Sequence, residues 1–464
     1  MMGFDSLEGC HGGYERRIGA VWRPSPAKRG EHLLASLAER PGPVIRRLAG
    51  GKRARQMQFS RFLHNDAVTV GEMAASAAAR TAERVAGRDV LAIQDSSELV
   101  FGGKAARERG FGPIGRGGGT GGLLLHAVLA VDATDSGVLG LVDMAVLNRV
   151  GGKPAHRRAR ATIEKESQRW LDGMVAAGEV LAQAKRITVV ADRESDIYEE
   201  FARRPTHVHL ITRVAQNRRI ESDQATSLFE FAQTLQEQAR FEVTIPPAPG
   251  RPERTAELAL RHAPVTVRKP KHGACPDLPG TVTLTLVDIR ETSSPAQGQA
   301  IHWRLLTTHR VDTPAAGRMV LDFYRRRWII EDYFRTLKTA GFDIEASEIE
   351  DPNVMMRFVG AASCAAVKVL QLVRARDGTK QGLADAFDPA DKPLLETLSQ
   401  KLEGKTQRQK NPHPKGTLAF AAWVIARLGS WDGYYGKPGP KIMRIGLQDF
   451  QMIKYGHQLE PKNV

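Results

Sequence analysis

Cysteine is scarce in this sequence, and its three copies stand far apart. Cys10, Cys275 and Cys364 are an odd number and show no CxxC spacing. We therefore expect free thiols in a reducing compartment, with neither a disulfide framework nor a zinc site built on paired cysteines. The thirteen histidines contain no HExxH pattern, so the sequence does not indicate a helix-borne zinc centre either.

Long apolar runs are also missing. We find no stretch of about eighteen consecutive apolar residues, and the N-terminus lacks a positively charged region followed by an apolar core. We expect neither a membrane span nor an export signal. The predicted location is the cytoplasm.

Positive charge, in contrast, is in excess. The chain has 464 residues, a net charge of +15 and ordinary hydrophobic content of 42%. Its length is sufficient for two or three domains around a sizeable core. The charge favours a polyanionic partner such as nucleic acid. An anionic membrane surface and a merely basic protein remain open on composition alone.

Residues 1–70 form the most basic segment. Eleven lysine and arginine residues lie between Tyr14 and Arg55, against three glutamates. Ser25-Pro26 is a good helix start, and Pro41-Gly42 a good helix stop. We expect a small helical module that contacts DNA; the alternative is a solvated arm.

Two aspartates are predicted at the ends of buried strands. Asp89–Asp95 (DVLAIQD) reads as a short strand that ends in Asp95, and the run 187–191 (ITVVA) leads directly into Asp192. Strand ends are where open sheets place reactive groups. A single acidic strand end is usually a cap or turn residue, but two such ends on one sheet favour a shared site.

Two further segments have a distinct composition. Residues 102–122 are rich in glycine and carry Lys104, Arg107, Arg109 and Arg116. Because no helix is predicted directly after this segment, we interpret it as a flexible basic loop and not as a phosphate-binding loop. Residues from about 220 to 300 alternate with period two between prolines and glycines, which predicts an antiparallel β insertion.

The run Asp322–Lys338 (DFYRRRWIIEDYFRTLK) is predicted to form one helix. At about 100° per residue, Tyr324, Arg327, Glu331 and Lys338 fall within an arc of about 60°. Phe323, Ile330, Phe334 and Leu337 form a separate apolar stripe that can be buried. The simpler alternative is a solvated face with ion pairs four residues apart. We favour a shared cleft because the neighbours of Glu331 are mostly apolar.

The three acids Asp95, Asp192 and Glu331 define a possible chemistry. Three converging carboxylates repel one another unless a cation neutralises them. Oxygen ligands select hard ions, so we expect Mg²⁺ or Mn²⁺, with two ions per site. Two such ions can support phosphoryl transfer. Arg327, Lys338 and Tyr324 would hold phosphates by charge and hydrogen bonds.

Several segments of the chain resemble the bacterial cut-and-paste DDE transposases of the insertion-sequence-four group. That group has the spacing Y-(2)-R-(3)-E-(6)-K, which Tyr324, Arg327, Glu331 and Lys338 reproduce. The matching segments are LAIQDSSEL, VVADRESDI, YRRRWIIEDYFRTLKTAG followed by EDPN, RFLHN near the N-terminus, and GTLAFAAWVIARLG near the C-terminus. The resemblance covers nearly the whole chain in the right order.

The resemblance implies an α/β protein with an RNase H-like catalytic core at 71–375, a DNA-binding module at 1–70 and a helical dimerisation region at 376–464. It implies that Asp95, Asp192 and Glu331 are catalytic and that Tyr324, Arg327 and Lys338 bind DNA. Trp303 would stack on a flipped base, and Arg213 would be another DNA contact. The implied partners are double-stranded DNA, as transposon ends and target, and a second copy of the chain.

Two other functions remain open. An RNase H-like nuclease could use the same three acids without joining DNA ends. A non-catalytic transposase relative could bind ends and inhibit. The presence of all three acids and of the YREK cations favours an active enzyme.

Overall fold

The structure is a computed structural model. It describes residues 24–115, 117–149, 166–245, 252–271, 277–293, 295 and 299–459. Cys10, Cys275, Arg116 and the first part of the basic segment lie outside these ranges. Cys364 is a free thiol, as expected, and burial raises its pKa to about 12.

The described residues combine helices with one large mixed sheet, so the α/β class is confirmed. The helices are α1 Pro24–Glu39, α2 Ile45–Leu48, α3 Arg53–Leu63, α4 Val70–Ala82, α5 Lys104–Glu108, α6 Gln168–Val180, α7 Tyr198–Arg203, α8 Leu228–Thr234, α9 Pro314–Arg325, α10 Trp328–Arg335, α11 Pro352–Ala375, α12 Lys392–Leu402, α13 Leu418–Leu428 and α14 Pro440–Leu459. The strands are β1 Asp89–Gly102, β2 Gly112–Ile114, β3 Thr120–Asp132, β4 Val138–Leu147, β5 Arg186–Ala191, β6 Val208–Arg213, β7 Ile220–Glu221, β8 Ala239–Ile245, β9 Arg254–Arg268, β10 Thr281–Glu291 and β11 His302–Thr307.

The sheet runs in the order β2-β3-β1-β5-β6-β11-β10-β9-β7, with β4 also on β3 and β8 also on β9. β1 is antiparallel to β3 and parallel to β5, and β5 is parallel to β6. Separate apolar clusters bury the two faces of this sheet. Burial on both faces explains the nearly continuous apolar runs in β3 and β5.

The predicted insertion consists of antiparallel strands, as expected. β8, β9 and β10 pair in this way. It is not a separate layer, because β11 pairs with β10 on one edge and with β6 on the other. The insertion therefore extends the central sheet.

Most of the described residues of the glycine-rich segment 102–122 form regular secondary structure, so the prediction of a loop is wrong. It contains the helix α5 and the strand β2. Close packing requires glycine at some of its positions: a side chain at Gly122 would overlap the carbonyl oxygen of Leu99 and the side chain of Ile114. Gly122 thus permits close strand contact. Other glycines of the segment supply positive φ values, which few other residues adopt: Gly102, Gly110, Gly115, Gly117 and Gly118.

The helices at both ends pack onto the same core as α11. The predicted helix from Ser25-Pro26 to Pro41-Gly42 is confirmed as α1, and α3 buries Phe59, Phe62 and Leu63. α11 is long and apolar enough to cross a membrane by length and composition, but 78% of its apolar window is buried. We interpret it as a core helix.

The apolar helix predicted near the C-terminus is confirmed as α13. Thr417 caps it and Gly429 follows its last residue. Nine of its eleven residues are buried, so this helix lies in the protein's own core. Its packing against α14 depends on glycine, since a side chain at Gly446 would overlap the carbonyl oxygen of Ile425.

We expect Gly446→Ala to lower the free energy of unfolding by about 1–3 kcal/mol, because the added methyl group forces α13 and α14 apart. Gly456→Ala is the matched control on the same helix, since nothing lies within 4 Å of that methyl position. Alanine there is expected to be neutral or stabilising by up to about 1 kcal/mol. Urea denaturation measures both values, and equal stabilities of the two variants would contradict this packing.

Candidate active site

Asp95 lies within a long strand and not at its end, which corrects the sequence prediction. β1 continues to Gly102 because β3 pairs with it that far. The parallel pairing with β5, however, stops at Ile93 and Val190. Asp95 therefore lies just beyond the last backbone pair that joins these two strands.

Asp192 follows β5 directly, as predicted. Its backbone is extended, and a short 3₁₀ turn at Arg193–Ser195 comes next. Because β1 and β5 are parallel neighbours, Asp95 and Asp192 both lie beyond the carboxyl-terminal end of their paired region.

The predicted single helix Asp322–Lys338 is interrupted. α9 ends at Arg325, α10 begins at Trp328, and a π-helical turn covers Thr336–Ala340. The amides of Arg326 and Arg327 bond to carbonyls three residues back, at 3.1 and 3.0 Å. This tighter turn separates the two helices. The prediction that one helical stripe carries all four YREK residues is therefore wrong.

Arg327 lies among the three acids. Its Nη1 is 2.5 Å from Oδ2 of Asp95 and 3.5 Å from Oε1 of Glu331, and its Nη2 is 3.9 Å from Oδ2 of Asp192. The Tyr324 hydroxyl donates to Oδ1 of Asp192 at 3.3 Å. The structure thus brings Asp95, Asp192, Glu331, Arg327 and Tyr324 together, as the sequence predicted.

One guanidinium shared by three carboxylates leaves a formal charge of −2, and the pKa values reflect this. Burial raises the pKa of Asp95 to about 6; Arg327 opposes this rise, whereas Glu331 and Asp192 add to it. Burial alone would lower the pKa of Arg327, but the facing carboxylates raise it. A single cation does not neutralise the cluster.

Among the residues that the structure describes, no group of three or more His, Cys, Asp or Glu side chains has the arrangement of a metal site. The Arg327 guanidinium takes up the space between the acids. The donor atoms nevertheless fit a hard divalent cation, because they are all carboxylate oxygens and carry excess negative charge. Asp95 and Glu331 also face the same nitrogen of Arg327.

Of the remaining predicted DNA ligands, Trp303 and Arg213 lie near the acids, whereas Lys338 pairs with a different residue. The Trp303 ring lies 6.1 Å from the Tyr324 ring, edge to face. Arg213 lies near the Tyr324 hydroxyl, where its charge opposes the rise that burial causes in the Tyr324 pKa. Both therefore border the acids. Lys338 lies on the π-helical turn and pairs with Glu345 at 3.9 Å.

Three residues that were not predicted as site residues also lie near the acids. Trp328 is 63% exposed, and the Arg327 guanidinium lies 5.3 Å from the centre of its ring. Arg169 and Glu200 contact the neighbours of Asp95 and Asp192. The run RWIIED contained a signal for Trp328, but no local pattern distinguished Arg169 or Glu200.

We expect stability without metal to depend on pH through Asp95. Its folded-state pKa of about 6 exceeds the ordinary value of 3.8, so the folded state binds this proton more tightly. The resulting stability is present below about pH 4 and is lost as pH rises through about 6. Relative to Asp95→Asn, the wild type is expected to lose on the order of 2–3 kcal/mol over this window. Urea denaturation in EDTA at several pH values measures it; parallel curves would contradict the assignment.

Residues 147–367 match the protein-family model described as a transposase DDE domain. The matched range covers just under half of the chain; it includes Asp192 and Glu331 and begins after Asp95. The match supports a DDE transposase, an enzyme class that acts in DNA transposition and recombination and generally uses divalent metals.

Proposed function

We propose that this protein is a cut-and-paste DNA transposase of the insertion-sequence-four group, similar to the transposase of transposon five. One observation carries the proposal: Asp95, Asp192 and Glu331 converge on Arg327 beside Tyr324, in a chain that matches a transposase DDE domain. The catalytic acids in this proposal are these three.

An RNase H-like core at 71–375 would hold the site. The strand order β4-β3-β1-β5-β6 supports it, with antiparallel pairing among the first three and parallel pairing among the last three. Residues 1–70 would bind DNA and residues 376–464 would form the dimerisation region. Because α13 is buried, a dimer contact would use exposed side chains of α14 such as Met452 and Tyr455.

Asp95, Asp192 and Glu331 would hold two Mg²⁺ or Mn²⁺ ions, in keeping with their oxygen donors and the charge of −2. When bound, such ions activate an attacking hydroxyl and stabilise the leaving oxygen. Arg327 would then turn from the carboxylates to a DNA phosphate, since a guanidinium binds both kinds of anion in the same way.

Tyr324, Arg213 and Lys338 would position the DNA backbone, and Trp303 would stack on a flipped base. Trp303 and Tyr324 already lie edge to face, so a base placed on Trp303 would lie next to the acids. The chain's charge of +15 supports binding of double-stranded DNA at both transposon ends and target, in the cytoplasm on the nucleoid.

The proposed reaction begins when water attacks a phosphorus at the transposon end. A new P–O bond forms, the bond to the 3′ oxygen breaks, and that oxygen takes up a proton. The freed 3′-OH attacks a phosphodiester of the opposite strand: its oxygen bonds to that phosphorus, and the bond to the 3′ oxygen of the flanking DNA breaks, which leaves a hairpin and a flanking 3′-OH. Water then attacks the hairpin phosphorus, and the bond to the transposon 3′ oxygen breaks, which restores the 3′-OH. This 3′-OH attacks a target phosphodiester, joins the target phosphorus and releases a target 3′-OH. Two copies of the chain on paired ends would catalyse these steps, each acting on the other's end.

The test uses DNA that flanks the coding region, Mg²⁺ and purified protein, with products separated on a denaturing gel. The proposal predicts a nick followed by a hairpin. A nuclease would give cut strands without hairpins, and a non-catalytic binder would retain the DNA uncut; either result would contradict the proposal.

Trp303→Ala is expected to keep nicking and lose hairpin formation by about 10-fold or more, because stacking on an aromatic ring contributes about 1–3 kcal/mol per base. Trp303→Phe should retain part of the hairpin yield. The two products are quantified in one time course. Equal loss of both products in the alanine variant would contradict a role confined to the flipped base.

A further inference from the structure

Two side chains outside the acid cluster connect the segment around Asp95 to the segment around Asp192 through side-chain hydrogen bonds. These acid-bearing segments are residues 94–96 on β1 and residues 192–195 after β5. Beyond Ile93 and Val190 the two strands no longer pair, so main-chain hydrogen bonds between β1 and β5 do not fix the spacing of the two acids.

Arg169, on α6, makes the first connection. Its Nε donates to Oγ of Ser96 at 2.9 Å, and its Nη2 donates to Glu194 at 2.8 Å. A third hydrogen bond, from Nη1 to the carbonyl of Glu166 at 2.6 Å, holds the guanidinium in place. The Arg169 side chain is 10% exposed and Glu194 is 68% exposed. Solvent therefore screens the bond to Ser96 little and the bond to Glu194 more.

Glu200, on α7, makes the second connection. Its Oε1 accepts from Nε2 of Gln94 at 3.0 Å, and its Oε2 accepts from Oγ of Ser195 at 2.7 Å. Oγ of Ser195 also lies 2.9 Å from Oγ1 of Thr212, and the Thr212 hydroxyl lies 3.3 Å from the carbonyl oxygen of Asp192, to which it can donate. Glu200 is fully buried.

The two connections are complementary. Ser96 and Gln94 are the immediate neighbours of Asp95, while Glu194 and Ser195 follow Asp192 by two and three residues. Arg169 therefore hydrogen-bonds to one residue of each acid-bearing segment, and so does Glu200. Burial raises the pKa of Glu200 to about 8, which reflects the unfavourable free energy of burying a charged carboxylate. An apolar side chain at this position would stabilise the core without that desolvation cost.

We propose that Arg169 and Glu200 are positioning residues that fix the separation of the Asp95 and Asp192 carboxylates. The proposal rests on the proposed function of those acids. Neither residue contacts the reacting groups; each acts through the segment that carries an acid. Partners of this kind affect metal affinity or activity by about 10–100-fold when they are removed.

The test compares Arg169→Met and Glu200→Ala with matched controls. Arg204→Met removes a partly buried arginine that bonds to carbonyls at 205–208, and Gln371→Ala removes a buried polar group that bonds to Val138 and Asp385. Neither control contacts an acid-bearing segment. Glu200→Gln is the conservative variant, because its amide oxygen can accept from Gln94 while its amide nitrogen donates to Ser195.

The first readout is the Mg²⁺ concentration that gives half-maximal nicking. It is expected to rise by about 10-fold or more in Arg169→Met and Glu200→Ala, and to return close to wild type in Glu200→Gln. The controls should shift the melting temperature alone. If the two variants lose melting temperature and keep the wild-type Mg²⁺ dependence, the residues are merely structural and the proposal is overturned.

The second readout does not require activity. Hydrogen exchange of the amides at 94–96 and 192–195 is expected to accelerate in Arg169→Met and Glu200→Ala and not in the controls. Unchanged exchange would overturn the proposal even if the enzyme is active. A wild type that never nicks DNA at any Mg²⁺ concentration would refute the proposed function, while the exchange rates would still decide whether these residues hold the two segments.

Discussion

Asp192→Asn is expected to bind DNA as the wild type does and to lose Mg²⁺-dependent nicking on the order of 10³-fold or more. The asparagine has nearly the same shape, and its amide oxygen can still accept the hydrogen bond that Tyr324 donates to Asp192. Only the negative charge is removed. The fold and the basic surface are unchanged, so we expect the variant to keep its DNA affinity and to lose its nicking activity.

The experiment pairs a gel-shift titration with a nicking time course. Asp322→Asn is the control, because Asp322 is similarly exposed and makes ion pairs with Arg318 and Arg325 on the surface of α9. It should nick DNA at the wild-type rate. Persistent nicking by Asp192→Asn would remove this residue from the set of metal ligands.

Arg327→Met is expected to have the second largest effect. Removing one partner of a buried ion pair lowers the free energy of unfolding by about 3–5 kcal/mol, because the other charge stays buried and unpaired. Here three carboxylates lose their shared cation, but only Asp95 is largely buried, since Asp192 and Glu331 are 33% and 46% exposed. We therefore expect a loss at the lower end of this range, because solvent screens the two exposed acids. The loss should shrink at acid pH, since Arg327 lowers the pKa of Asp95 and its removal favours protonation.

Mg²⁺ should reverse part of this loss. A ligand that binds only the folded state raises its stability, and the variant presents a formal charge of −3 in place of −2 at a pH where all three acids are ionised. The Mg²⁺-induced rise in melting temperature is therefore expected to be larger in Arg327→Met than in the wild type. Arg357→Met is the control, because the ion-pair partner of Arg357 is the exposed carboxylate of Asp66. An equal response to Mg²⁺ in wild type and Arg327→Met would contradict the role of Arg327 as counter-charge.

Those residues of the candidate site that lie in clear strand or helix patterns could be predicted from the sequence. Asp192 follows an uninterrupted apolar strand, and Arg327 and Glu331 occupy one helical turn. Such patterns determine which face or end of an element a side chain occupies. Their convergence was then predictable because parallel strands end on one side of a sheet.

The errors arose where tertiary contacts override local pattern. β1 extends past Asp95 because β3 continues to pair with it, which nothing in DVLAIQD indicates. The helix break at Arg326 is accompanied by a hydrogen bond from its guanidinium to the carbonyl of Ala133. Arg169 and Glu200 could not be predicted, because their bonds to Ser96 and Gln94 join residues that are distant in sequence. Their own sequence surroundings resemble those of any amphipathic helix.

The most direct test of the central claim is DNA joining. A donor plasmid with the DNA that flanks the coding region is incubated with a target plasmid, Mg²⁺ and the protein, and the junctions are sequenced. The account predicts junctions at the tips of the flanking DNA with the wild type, and none with Asp95→Asn, Asp192→Asn or Glu331→Gln. Cut donor without any joined product, or joined product from any of these three variants, would contradict it.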